Sequence, residues 1–330
     1  MDYWALLDSL VKMVIVLAFV MLAVPMLIWM ERKVLADIQA RLGPNRVGPY
    51  GIIQSFADGI KLFFKEDVVP SRVDKVVYVL APAISMTCAL AIYAVIPFGV
   101  FRPRAGTAVA PNVNVALLFV FATMSMAVYG IVLAGWASNS KYSLLGGLRS
   151  SAQMISYELA LGLSVIGVLM ISGSLNIVDI VQAQQKSVWY VFLQPLGFIL
   201  YMVAAFAETN RVPFDLPEAE TELVAGYHTE YSSMKFALFF MGEYAFVLAH
   251  AALVTCLFLG GWSGPLLPGI VWYLIKVTAV IYFFMWVRGT LPRFRYDQLM
   301  NLGWKVMLPL GLANVFLTGV GLVLWQAIRG

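Results

Sequence analysis

Eight stretches of this chain are each long and apolar enough to cross a lipid bilayer, and no other feature constrains its fold as tightly. They lie near residues 11–30, 76–98, 113–135, 151–172, 188–207, 236–259, 267–287 and 306–327. A spanning helix needs about 20 predominantly apolar residues. Within hydrocarbon, a helix satisfies its own backbone hydrogen bonds. The pattern therefore predicts an all-α polytopic membrane protein of about eight transmembrane helices, forming one integral domain over residues 1–330. Pro25, Pro82, Pro195 and Pro309 fall inside these runs, and neighbouring helices in a bundle can satisfy the backbone groups that proline frees. Only 12% of the residues are charged, against roughly 25% in a soluble domain. All nine tryptophans lie at or near the ends of the runs, among them Trp29, Trp136, Trp262 and Trp304. Indole rings favour the headgroup level, so this is the expected aromatic belt.

Basic residues set the orientation. With eight spans, loops 31–75, 136–150, 208–235 and 288–305 share one side and hold 16 of the 22 lysines and arginines. The other side holds Lys12, Arg102, Arg104, Lys186 and Arg329, while Lys276 sits inside a span. The positive-inside rule puts the rich side in the cytoplasm and both termini outside. The first basic residue is Lys12, so the first run reads as a retained span rather than a cleavable signal.

Several function classes drop out. Cys88 and Cys256 lie in apolar runs far from any CxxC spacing, and His228 and His250 are the only histidines. Neither a disulfide framework, an iron–sulfur ligand set nor a histidine metal site is available. A formal charge of +4, scattered along the chain, gives no nucleic-acid footprint. No nucleotide loop or nucleophile–base pair is present.

Acidic residues are unevenly placed. Six of the 18 fall within 23 residues of one cytoplasmic loop: Glu208, Asp215, Glu218, Glu220, Glu222 and Glu230. Asp215, Pro217 and Glu218 read as a helix start that Gly226 would end, and the helix dipole stabilises acids there. That accounts poorly for Glu208. Glu158 and Glu243 lie inside spans, about seven residues from the cytoplasmic end, or roughly 10 Å deep. An ionised carboxylate at that depth costs several kcal/mol unless paired, solvated or protonated. Two readings stay open: ion pairs with Lys276 or a loop arginine, or acids lining a polar pathway. Their common side with the acidic loop favours a chain of titratable groups entering the membrane.

The first cytoplasmic loop contains GPNRVGP at 43–49, two Gly-Pro pairs that stiffen a turn. After it, Ile53, Phe56, Ile60, Phe63 and Phe64 keep helical spacing opposite Gln54, Asp58, Lys61 and Lys65. This predicts an amphipathic helix over 52–66 lying flat at the interface. It serves as a plain anchor or as one wall of an opening for an amphiphilic ligand. In the second case Glu31, Arg32, Arg41 and Arg46 would meet the ligand's polar head.

These motifs occur in a fixed order that identifies a family. Glu31-Arg32-Lys33, GPNRVGP at 43–49 and FADGIKLFFKE at 56–66 open the series. It continues with GWASNSKYSLLGGLR at 135–149, ISYE ending at Glu158, ETNRVPFDLPEAE at 208–220, GEY at 242–244 and PRFRYDQLM at 292–300. Nearly end to end, the chain resembles the H-type membrane subunits of respiratory NADH–quinone oxidoreductase (complex I), called subunit 1 in mitochondria. The resemblance implies the bacterial inner membrane, both peripheral-arm and membrane-arm subunits as partners, and quinone as substrate. FMN and iron–sulfur clusters would belong to partner subunits, with no cofactor or metal ligated by this chain. It implies a proton relay of Glu158, Glu208, Asp215, Glu218, Glu220, Glu222 and Glu243. It also implies a quinone chamber or opening framed by Glu31, Arg32, Arg41, Arg46, Phe56, Asp58, Phe63 and Arg211. Span three carries no acid, which leaves open how the relay continues inward from Glu158. The same fold occurs in membrane-bound hydrogenases, and a stand-alone proton-coupled transporter is the competing class. The repeated halves common in such transporters are not visible.

Overall fold

A computed structural model describes residues 3–98, 113–215 and 224–329. Each of the eight apolar runs is largely helical. The helices are α1 (Tyr3–Ile38), α2 (Gln54–Phe64), α3 (Lys75–Ala91), α4 (Ala116–Ala137), α5 (Lys141–Ser172), α6 (Ile177–Lys186), α7 (Tyr190–Leu193) and α8 (Pro195–Glu208). Beyond the acidic loop follow α9 (Ser233–Leu257), α10 (Gly269–Thr290), α11 (Tyr296–Asn301) and α12 (Leu308–Arg329), with a π-helical turn over Leu302–Met307. No strand occurs among the described residues.

Among the described residues, seven helical segments are long and apolar enough to span. The eighth run, 188–207, is broken instead: α7 ends at Leu193, Gln194 follows as its cap, and Pro195 then occupies the first position of α8. Pro195 lacks the N–H that would continue the helix from α7, yet its fixed φ suits a helix start. The 14 residues of α8 cover about 21 Å, which brings Glu208 against α9.

Local chemistry fixes several of the boundaries. The Asp74 carboxylate accepts from the Val76 and Val77 amides at the start of α3, and the Asn176 side chain accepts from Val178 at the start of α6. In the GPNRVGP turn, Gly48 and the following Gly51 have φ of 73° and 76°. A Cβ at Gly51 would lie 2.3 Å from the Pro44 carbonyl oxygen. Only glycine fits there.

α9 sits at the centre, buried along most of its length, with α3, α10, α1 and α8 packed around it. α3, α4 and α5 form a second, closely approached row. A Cβ on Gly135 would sit 2.7 Å from the Ser143 carbonyl oxygen, the small-residue contact that drives helix association in lipid. Buried hydroxyls tie the elements together: Tyr93 donates to the Ala245 carbonyl at 2.5 Å and Tyr157 to that of Leu299 at 2.8 Å. Tyr231, in the loop before α9, is pushed above the usual phenol range by burial and by neighbouring Tyr78, so it stays protonated and donates to the Tyr78 carbonyl. The outer helices α1 and α12 keep apolar side chains such as Val14, Leu22, Phe316 and Val323 exposed, as lipid or a partner's apolar surface requires.

Candidate functional site

α1, α8, α9 and α10 converge on Arg211 toward one end of the bundle. After α8, residues 209–215 fold back as a tight turn. The Gln153 amide on α5 donates to the Ala207 and Phe214 carbonyls at 2.7 and 2.8 Å, and the Phe294 amide donates to Pro213 at 3.1 Å. Held in this way, the Arg211 guanidinium lies 3.2 Å from Glu243 and 3.6 Å from Glu31. It also lies over the Tyr244 ring, 4.1 Å from the centroid. Arg288 of α10 forms a second ion pair with Glu31. Two guanidinium groups and two carboxylates thus share one largely buried site. This is the arrangement in which planar arginine forks meet carboxylates best.

Two cavities adjoin this network. One, of about 20 Å³, has room for about one water and is walled by Leu27, Val247, Ile281, Phe284 and Met285, with Glu31, Arg211 and Arg288 at its polar end. The other, also of about 20 Å³, is bounded by Ser85, Met154, Asn210 and Tyr227, and carries Glu208 and Glu243. Arg211 lines the first and Glu243 the second, so their ion pair links an apolar-walled lining to an acid-bearing one.

The remaining acids extend inward. Glu208 is buried, and its Oε2 lies 3.6 Å from His250 Nε2. Glu158 on α5 is near enough for its charge to act on Glu208, and it accepts a hydrogen bond from Ser125. Ser125 belongs to α4, the third span. That span meets Glu158 with a hydroxyl where no acid is available. Asp215 is buried and pairs with Arg293 at 2.8 Å. Glu218, Glu220, Glu222 and the expected helix start at Pro217 lie outside the described residues.

Other expected residues scatter. Glu31, Arg32, Arg41 and Arg46 do not gather around one head group. Glu31 turns inward to the two arginines, while Arg32 pairs with Asp58 on α2 at 2.6 Å. Arg41 donates to Gln39, and Arg46 is exposed. Phe56 is half-buried and Phe63 is 67% exposed, so α2 shows part of its apolar face outward. Lys276 pairs with neither Glu158 nor Glu243. Its ammonium group donates to the Leu259, Gly261 and Ser263 carbonyls at 2.6, 3.0 and 2.7 Å and lies over the Trp189 ring. It therefore ties together the loop after α9. Sequence reading missed Arg288, Arg293 and Ser125 as partners. It weighed His250 only as a metal ligand.

These features define a class: polytopic helical membrane proteins with a buried arginine–carboxylate network closing one end of the bundle. Residues 11–319 match the family model described as NADH dehydrogenase, and the chain belongs to that family. It is 53% identical over 324 residues to the NADH-quinone oxidoreductase H 1 subunit of Geobacter sulfurreducens, covering 94% of this chain and 93% of that protein. It is likewise 53% identical to the corresponding H 2 subunit of Syntrophobacter fumaroxidans, with 96% of each chain covered. Against the H 2 subunit of Koribacter versatilis the identity is 49%, over 96% of this chain and 97% of that one.

Proposed function

We propose that this chain is the H-type membrane subunit of an NADH–quinone oxidoreductase (complex I) in a bacterial inner membrane. In this reading it shapes the membrane-facing part of the quinone chamber and links quinone reduction to proton translocation. The observation that carries it is the Arg211–Glu243 pair, which links the linings of the two cavities. Apolar walls ending in charged groups are the lining that a ligand with a long apolar tail and a polar head needs, and the space of about 20 Å³ between them must widen to admit one. α2 and Phe63 would border its opening. FMN and iron–sulfur clusters belong to partner subunits of the peripheral arm, and further membrane subunits flank the bundle.

The coupling follows from electrostatics. Reduction of quinone changes the charge in the chamber, where unit charges interact several times more strongly than in water. Arg211 feels that change together with Glu31 and Arg288, because all three line the chamber, and it is the one that also holds Glu243. Weakening its hold on Glu243 favours protonation of that carboxylate. Glu243 faces the same cavity as Glu208, and Glu208 interacts with Glu158, so a proton gained at one is exchanged along the others.

Glu→Gln variants at positions 158, 208 and 243 test titration while preserving shape. Each is expected to assemble, to keep NADH oxidation with water-soluble acceptors, and to lose most quinone reduction and its coupled pumping. Asp variants retain more of both. Three assembled Gln variants with normal pumping would make the acids structural pairs only.

A further inference from the structure

His250 has no part in the scheme above, yet it is fully buried on α9, seven residues inward from Glu243, or about 10 Å deeper. Its Nε2 faces Glu208 Oε2 across 3.6 Å, and neither atom has a hydrogen-bond partner among the described residues. Its Nδ1 lies 3.3 Å from the Tyr201 hydroxyl, on α8 two turns before Glu208. The imidazole is thus flanked by oxygen on both sides, and Leu253 and Val254, one turn further along α9, are buried apolar residues. Buried polar atoms are rarely left unpaired. Here two orphan atoms face one another, and a shift of a few tenths of an ångström brings them into hydrogen-bond range.

We propose that Glu208 and His250 hold one proton in common and form an inward arm of the relay, with Tyr201 as a positioning residue. The inference rests on the relay reading above and adds a member to it. In the transfer, the O–H bond at Glu208 Oε2 breaks and an N–H bond forms at His250 Nε2. The products are a carboxylate and an imidazolium, so the net charge of the pair is unchanged. No isolated charge is left in the low-dielectric interior, which is what makes such a step feasible there. The imidazolium then has a proton on each nitrogen, and its Nδ1–H donates to the Tyr201 oxygen. The reverse transfer returns the Nε2 proton to Glu208 and leaves Nδ1–H on the same oxygen. Tyr201 serves both states without moving, because its oxygen accepts in each. The other titratable groups near the pair include Glu158 on α5, Cys256 on α9 and, on the cavity it shares with Glu208, Glu243 of α9.

The test uses the assembled enzyme in sealed vesicles, comparing H250Q, Y201F and E208Q. Reduction of a water-soluble acceptor reports assembly. Quinone reduction, acidification per quinone reduced, and the infrared difference spectrum between resting and quinol-reduced enzyme report the arm. Losing a positioned proton carrier costs roughly 10²-fold in a proton-limited step. H250Q should show a loss of that order in quinone reduction and fewer protons moved per quinone. The parent's infrared spectrum should contain an imidazole ring signal, absent in H250Q and shifted in Y201F. If E208Q fails while assembled H250Q and Y201F pump at parent rates with the parent's spectrum, the arm is wrong and the relay stands. If E208Q also pumps normally, both fall. Should H250Q not assemble, the spectrum and proton yield of Y201F decide, and parent values for both overturn the proposal.

Discussion

Replacing Arg211 with methionine should unbalance the network at its centre. The guanidinium lies 3.2 Å from Glu243 and 3.6 Å from Glu31, with side-chain exposures of only 8, 13 and 9% for the three groups. At an effective dielectric constant near 20, each attraction is worth about 5 kcal/mol. Desolvation offsets part of that, and breaking a buried pair by removing one partner costs about 3–5 kcal/mol. Glu31 keeps Arg288, so the loss falls mainly on Glu243. We expect R211M to lower stability by about 4 kcal/mol. R211K should lose less, since it retains charge but not the fork or the ring contact. E243Q removes the carboxylate that loses Arg211, so R211M/E243Q should recover about 3 kcal/mol relative to the sum of the single variants. Denaturant unfolding of the chain in lipid nanodiscs, followed by tryptophan fluorescence, reads this cycle. Single-variant effects that add within about 0.5 kcal/mol would refute the coupling.

Three other outcomes follow from the same structure. Gly59 is exposed with open space around its Cβ position, whereas Leu266 is fully exposed between α9 and α10. Cysteines there should react with impermeant reagents from opposite sides, G59C from the cytoplasm and L266C from outside, and the reverse pattern would invert the topology. F63D, on the exposed face of α2, should raise the apparent KM for quinone roughly tenfold, from about 1.5 kcal/mol of lost apolar contact. Reduction of water-soluble acceptors should stay unchanged, and equal loss of both activities would point to failed assembly instead. K276M strips the donor from three loop carbonyls and should cost at least about 2 kcal/mol in the same unfolding assay. A change under about 0.5 kcal/mol would mean that water replaces the ammonium.

Periodicity and length made the bundle legible, because lipid leaves a chain few alternatives. Deviations arise where polar residues extend a helix beyond the hydrocarbon. α5 begins at Lys141 rather than near 151, since Lys141 and Arg149 mask its first turns. The short α6 escaped notice because 10 residues of mixed polarity resemble a loop. Its signal was Asn176 as a cap followed by Asp179. In the site, the buried acids stood out because a carboxylate in an apolar run is anomalous. Their partners did not, because Arg288 reads as an ordinary end-of-span cation and Ser125 as an ordinary small residue. Which cation serves Glu243 is a matter of tertiary approach. Lys276 looked as good a candidate as Arg211 until the loop after α9 turned its carbonyls toward the ammonium.

The pair joining Glu31 to Arg288 also bears on how the chain is made. Its members are 257 residues apart, and synthesis proceeds at about 5–20 residues per second. The first helix therefore enters the bilayer roughly 13–50 s before its acid can meet that arginine. Through that interval Glu31 must rest at the headgroup level or carry a proton, and α1 cannot settle at its final depth. The last third of the polypeptide thus supplies the charge that lets the first helix lock in place. A ribosome stalled before residue 288 would leave a nascent chain whose opening helix is still unanchored, a state that membrane proteases and insertion chaperones can distinguish from the finished bundle.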